Sequence, residues 1–191
     1  MTEARKFEFA YWDGERRYGY GGYSYQPGRW EPVAKALIKR YDLKPGDRVL
    51  DIGCGKGYLL YELQRLMPGL HLVGWDRSLY AVRNTHPDFN GAIMHAKAQD
   101  LDVVPTKSFD LIVSLGTFHN LKIWEVAQAL QHVQRISKNA YIMVESFRTE
   151  QELFNLQCWC LTAESLLRPE DWEYLFNHYG YEGDHEFIFF E

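Results

Sequence analysis

From residue 31 onward the apolar positions switch between helical spacing and short continuous runs. "EPVAKALIKRYDL" places Val33, Ala34, Leu37 and Ile38 on one helical stripe, with Pro32 where a first-turn proline is tolerated. "RVLDIG" then reads as a short strand, and "KGYLLYELQRLMPG" as a helix closed by Pro68 and Gly69. "HLVGWD" is a second strand, "SLYAVRNT" a short helix opened by Ser78, and "GAIMHAK" a third strand. "SFDLIVSLG" is a fourth, its unbroken apolar centre suited to burial on both faces. "KIWEVAQALQHVQRIS" repeats Ile123, Val126, Leu130 and Val133 on one helical face before a fifth strand, "NAYIMVESF". "RTEQELFNLQCWCLTAES" suggests a helix followed by an irregular piece. "RPEDWEYLFNHYG" is a helix between Pro169 and Gly180, and "EFIFFE" a final strand. Strands alternating with helices predict an α/β domain built on a mainly parallel sheet, helices covering both faces. No linker divides residues 31–191.

Ahead of this pattern stands "YWDGERRYGYGGYSYQPGRW", Tyr11 to Trp30, which crowds aromatic residues, glycines and arginines together. Composition narrows what it can be. The 191 residues are 46 % hydrophobic and 25 % charged, enough for one sizeable core and too apolar for a disordered chain. A formal net charge of −5 argues against a surface built to grip a phosphate backbone. The opening residues hold no apolar leader-like stretch, and no run of about 18 uncharged apolar residues occurs, so a soluble cytoplasmic protein is expected. Three cysteines make no disulfide framework, and the "CWC" pair lacks a second pair or histidines at zinc-site spacing, so no metal is expected.

The sharpest chemical signal is "VLDIGCGKGYLL", a glycine turn between a strand and a helix. Glycines 53, 55 and 57 let the backbone turn tightly and approach a ligand, with unpaired helix N–H groups behind them. A dinucleotide fingerprint needs its third glycine at position 58, which is Tyr, and a phosphate loop needs a hydroxyl after the lysine. Asp51 inside the turn repels a pyrophosphate and attracts an amino group. The turn suits a zwitterionic, nucleoside-like ligand.

"LDIGCGKG" resembles the first motif of class I S-adenosylmethionine-dependent methyltransferases, D/E-x-G-x-G-x-G, and later landmarks of that family follow in order across residues 31–191. The resemblance implies a Rossmann-like, doubly wound sheet of seven strands, mostly parallel with the last antiparallel, and S-adenosyl-L-methionine as cofactor. It implies cofactor contacts from Asp51, Gly53, Cys54, Gly55 and Gly57, from Asp76 and Arg77 at the ribose, and from Gln99, Asp100 and Leu101 at the adenine. "FDLIVSLGTFHNL" is similar to the fourth-strand motif that lines the methyl-transfer site, here Leu115, Gly116, Phe118 and His119. His119 is the best candidate base, its ordinary pKa lying near neutrality. Glu145, near the end of the fifth strand, is a second candidate that binds the acceptor or takes its proton.

The place where amino-methylating relatives carry N/D-P-P-Y/F reads "SLGTFHN" here. With the negative net charge this disfavours nucleic acid and favours a small-molecule acceptor; protein or RNA methylation and a catalytically silent cofactor-binding subunit are the alternatives. Residues 1–30 are read as an active-site lid: aromatic faces attract a sulfonium and exclude water, and phenols position polar acceptors. Tyr11, Tyr18, Tyr20, Tyr23, Tyr25 and Trp30 are its candidate contacts, with Arg29 for a carboxylate. Monomer and homodimer both remain open.

Overall fold

The structure is a computed structural model and describes residues 3–191, so the first two residues of the expected lid lie outside the described ones. Six parallel strands, β1 (Arg48–Ile52), β2 (His71–Asp76), β3 (Ala92–His95), β4 (Phe109–Leu115), β5 (Ser137–Glu145) and β6 (Asp184–Ile188), form one sheet in the order β3-β2-β1-β4-β5-β6. The order reverses between β1 and β4, where Leu50 sits opposite Ile112. Ligands of open α/β sheets collect outside the carboxyl ends of the strands at such a reversal.

The period-2 alternation of the strands divides the core. Leu50, Ile52, Ile112 and Ile142 point to one face, under α5 (Ile123–Ile136) and α7 (Pro169–His178), and pack with Leu130, Val133, Trp172 and Phe176. Val49, Leu111 and Val113 point to the other, under α2 (Glu31–Arg40) and α3 (Tyr58–Leu66), against Leu37, Leu59 and Leu63. Strands carrying an apolar residue at nearly every position are what a sheet covered on both faces requires.

The expected seventh, antiparallel strand is absent among the described residues, and every neighbouring pair is parallel. β6 runs beside β5 with Tyr141 opposite Asp184 and Glu145 opposite Ile188. The connection between them carries α6 (Glu150–Trp159) and α7, long enough to return the chain to the start of the sheet. A strand entered that way can run with its neighbour, as parallel pairing requires a crossover of this kind. The antiparallel strand belonged to the family template and to no pattern in these residues. Ser78 caps α4 (Leu79–Arg83) as expected, its hydroxyl accepting from the Ala81 N–H at 2.9 Å.

Residues 3–30 hold a short helix, α1 (Phe9–Trp12), and turns that lie over the carboxyl ends of the strands. Among the described residues no helix is long and apolar enough to cross a membrane, and no three His, Cys, Asp or Glu side chains gather as a metal site.

Candidate active site

A cavity of about 350 Å³ lies at the carboxyl ends of β1, β2, β4 and β5, roofed by the N-terminal segment. Its floor is the glycine turn. Gly53 holds φ +80°, and a Cβ there would stand 1.9 Å from the Thr117 hydroxyl. Gly55 meets the Trp12 ring, 2.8 Å from where its Cβ would be. Both positions are closed to any side chain, so the backbone itself forms the wall.

Two carboxyl groups are buried beside the turn. Asp76, ending β2, accepts from the Gly55 N–H and the Ser78 N–H, each at 2.7 Å. Its pKa is nonetheless raised, because burial outweighs those bonds. Asp51, on β1, has no such donors; burial and then the charge of Asp76 push it up to about 8. A cation delivered to this corner would relieve both penalties. Cys54 is a half-buried residue whose thiol is raised well above its ordinary value by desolvation, and it packs toward Gly74.

Further round the wall, Gln99 donates its amide to Glu125 at 3.0 Å, while its carbonyl oxygen is buried with no partner among the described residues. An orphaned buried acceptor carries a desolvation cost until a donor reaches it. Arg77 lies over the Phe7 ring at 4.9 Å, and the expected Leu115, Gly116, Tyr11, Tyr20, Tyr23, Arg29 and Trp30 also line the cavity.

The end opposite Gln99 is ionisable. His119, buried in the turn after β4, places Nδ1 against Glu145 Oε2 at the end of β5. Burial opposes charge on the ring, but the Glu145 carboxylate and the Cys160 thiol together push the His119 pKa up to about 9. Burial also raises Cys160, yet its hydrogen bond with His119 more than offsets this and leaves the thiol below its ordinary value. Asn120 links the group: its amide lies 3.0 Å from His119 Nε2 and donates to the Gly116 carbonyl at 3.2 Å, and its oxygen accepts from Thr162 at 2.6 Å.

The roof is fastened to the floor. The Lys56 ammonium, 6 % exposed, meets both oxygens of Asp13 at 2.7 and 2.9 Å and the Tyr23 carbonyl at 2.7 Å. Asp13 also accepts from the Tyr80 hydroxyl at 2.7 Å and the Tyr23 N–H at 2.9 Å. The Trp12 indole donates to the Phe7 carbonyl and the Ser78 hydroxyl, each at 2.9 Å. Tyr20 stacks on Trp12, and Tyr23 on Tyr58.

Six expected residues do not line the cavity. Gly57 caps α3 behind the turn, Leu101 and Phe118 are core residues, and Asp100 is exposed, bonded through its carboxylate to the Lys97 N–H. Tyr18 lies under Arg17, and Tyr25 bonds Glu62 on α3. Conversely Phe7, Trp12, Thr117, Asn120, Glu125, Cys160 and Thr162 line it without having been singled out. Lys56 and Asp13, which fasten roof to floor, were not singled out either.

Comparison with known proteins agrees with this architecture. A family model described as a methyltransferase domain matches residues 24–186. A malonyl-[acyl-carrier protein] O-methyltransferase of Bacillus cereus is 29 % identical over 123 residues, 61 % of this chain and 44 % of that protein. A ribosomal RNA small subunit methyltransferase C of Stutzerimonas stutzeri is 30 % identical over 130 residues, 60 % of this chain and 39 % of its own. The chain thus spans less than half the length of these curated relatives. A SAM-dependent methyltransferase from Archaeoglobus fulgidus shares the fold, with a TM-score of 0.61 at 24 % identity, covering 78 % of this chain and 68 % of that one. With most of its length matched by that family model, on a parallel sheet that bends a glycine turn around buried carboxylates, this chain belongs to the class I S-adenosylmethionine-dependent methyltransferases.

Proposed function

We propose that this protein transfers a methyl group from S-adenosylmethionine to a small-molecule acceptor by in-line displacement. The observation that carries the reading is a single cavity with a cofactor-type floor at one end and an ionisable cluster at the other, beneath a fastened aromatic roof. Its volume of about 350 Å³ is that of a small-ligand site. The relatives named above act on an acyl-carrier-protein conjugate and on ribosomal RNA, so likeness does not choose the acceptor. The roofed cavity and the net charge of −5 favour a small molecule over a nucleic acid.

The residues fit the cofactor. Asp51, raised to about 8 by burial and Asp76, is placed for an amino group, and the Asp76 carboxylate, already oriented by two backbone N–H groups, for ribose hydroxyls. The orphaned carbonyl of Gln99 takes the adenine amine in place of the exposed Asp100. When bound, S-adenosylmethionine supplies an activated methyl on a cationic sulfur. The chain's own contribution is to hold that cation under Trp12, Tyr20 and Tyr23, exclude water with the roof, and receive the acceptor beside His119 and Glu145. The N-terminal segment thus acts as the lid. Calorimetry with S-adenosylhomocysteine tests the reading: saturable binding is expected, and a folded protein that binds neither it nor S-adenosylmethionine refutes it.

A further inference from the structure

At the ionisable end of the cavity stand His119, the first candidate base read from the sequence, and Glu145, the second. Both nitrogens of His119 face protein groups, Nδ1 by a close ionic contact that lacks hydrogen-bond geometry. Nδ1 faces Glu145 Oε2, and Nε2 lies 3.0 Å from the Asn120 amide. The orientation of that amide is fixed by the Gly116 carbonyl, 3.2 Å away, which has lone pairs only and so demands the nitrogen end. In the neutral ring Nε2 therefore accepts, and the proton sits on Nδ1, directed at Glu145. Were the ring to take a second proton, as the neighbouring carboxylate encourages, Nε2–H would still point into the Asn120–Cys160 side and the ring would be no base at all. In either state each nitrogen is turned to a protein group; the ring atom nearest a Cβ built on Gly116 is the carbon Cε1.

Glu145 differs. Oε2 is buried against the ring without a bond of hydrogen-bond geometry, while Oε1 is the oxygen turned to Gly116, 3.4 Å from where its Cβ would stand. The side chain keeps 14 % of its surface open against 3 % for His119. Gly116, at φ +69°, is the gap through which that oxygen reaches the cavity.

Building on the methyltransferase reading, we propose that Glu145 takes the acceptor's proton, that His119 is a positioning residue locked by Asn120, and that the acceptor atom is an oxygen or nitrogen bearing hydrogen. The step balances: the acceptor's lone pair forms the bond to the methyl carbon, the sulfur keeps the pair of the breaking bond, and the proton goes to Glu145 Oε1. A carboxylate with a free lone pair at this position selects acceptors that can donate to it.

The test uses the full-length protein, labelled donor, and whichever fraction of a metabolite extract the wild type methylates. Glu145→Gln is expected to lower kcat about a hundredfold with S-adenosylhomocysteine binding unchanged. His119→Leu, which strands Glu145 without its donor, is expected to lose activity also, but His119→Asn, whose amide can stand in for Nδ1–H and cannot titrate, recovers most of it. Long-range proton–nitrogen correlation of ring-labelled enzyme reads the proton on Nδ1 directly. Loss in His119→Asn as deep as in Glu145→Gln, or a methyl group found on carbon or sulfur of the product, overturns the assignment while leaving the methyltransferase reading intact. Absence of S-adenosylhomocysteine binding by the wild type overturns both.

Discussion

Replacing Asp13 with alanine removes one half of the clasp between roof and floor. The lost contacts are the paired oxygens on Lys56 and the bonds from Tyr80 and Tyr23, and what remains beside a lysine 6 % exposed is one carbonyl. Removing one partner of a buried ion pair costs about 3–5 kcal/mol; Asp13 keeps 26 % of its side chain exposed, so the low end, about 3 kcal/mol, applies. On the lid proposal residues 3–30 lift while the sheet stays packed, so the penalty falls on closure of the roof, a factor of about a hundred in its open population. Limited trypsinolysis reads it: cleavage at Arg16 and Arg17 should accelerate toward that factor, while the melting temperature moves little. Were the clasp instead part of the global fold, about 3 kcal/mol would lower Tm by about 6–12 °C. The double variant Asp13→Ala/Lys56→Met should recover protection, since removing both charges of a buried pair is close to neutral. A large Tm loss with unchanged cleavage, or no recovery in the double variant, would refute this account.

The same pair predicts that the clasp is present above the ordinary carboxylate range and lost as pH falls through the Asp13 pKa, which Lys56 and the Tyr23 N–H hold low against burial; tryptic sensitivity should rise there. Asp51, raised to about 8, binds a proton more readily folded than unfolded, so stability contributed here declines as pH climbs from about 4 to 8. Asp51→Asn should flatten that decline in a pH series of thermal melts and weaken S-adenosylhomocysteine binding. Gly53→Ala forces a Cβ into the Thr117 hydroxyl at a positive φ and should abolish S-adenosylhomocysteine binding measured by calorimetry. Tyr20→Ala and Tyr23→Ala, which thin the roof, should lower turnover far more than Tm; equal losses would mark them as structural braces.

How much of this was legible varies by residue. The glycine turn was plain because "DIGCGKG" carries its constraint locally: a tight strand-to-helix reversal with no room for side chains. Asp76 was legible for the same reason, ending a recognisable strand. Asp100 and Gln99 stand side by side, and no pattern in "AKAQDL" says which of them turns inward; the packing of Glu125 on α5 turns Gln99 to the cavity. Asn120, Thr162 and Cys160 were invisible because 40 or more residues separate partners that meet only when the segment after α6 folds back over β4 and β5.

By itself the sequence determined the alternating α/β architecture and the tight glycine turn after the first strand, because periodicity and local backbone constraint act over a few neighbouring residues. The tertiary structure decided the rest. It set six strands all parallel, because the direction of β6 depends on where the α6–α7 connection delivers the chain. It turned the aromatic stretch into a roof, because the buried Lys56 ammonium on the floor finds its counter-charge in Asp13 on the roof. And it set Glu145 at the end of β5 against His119 after β4, because two residues 26 positions apart meet only when their strands pair.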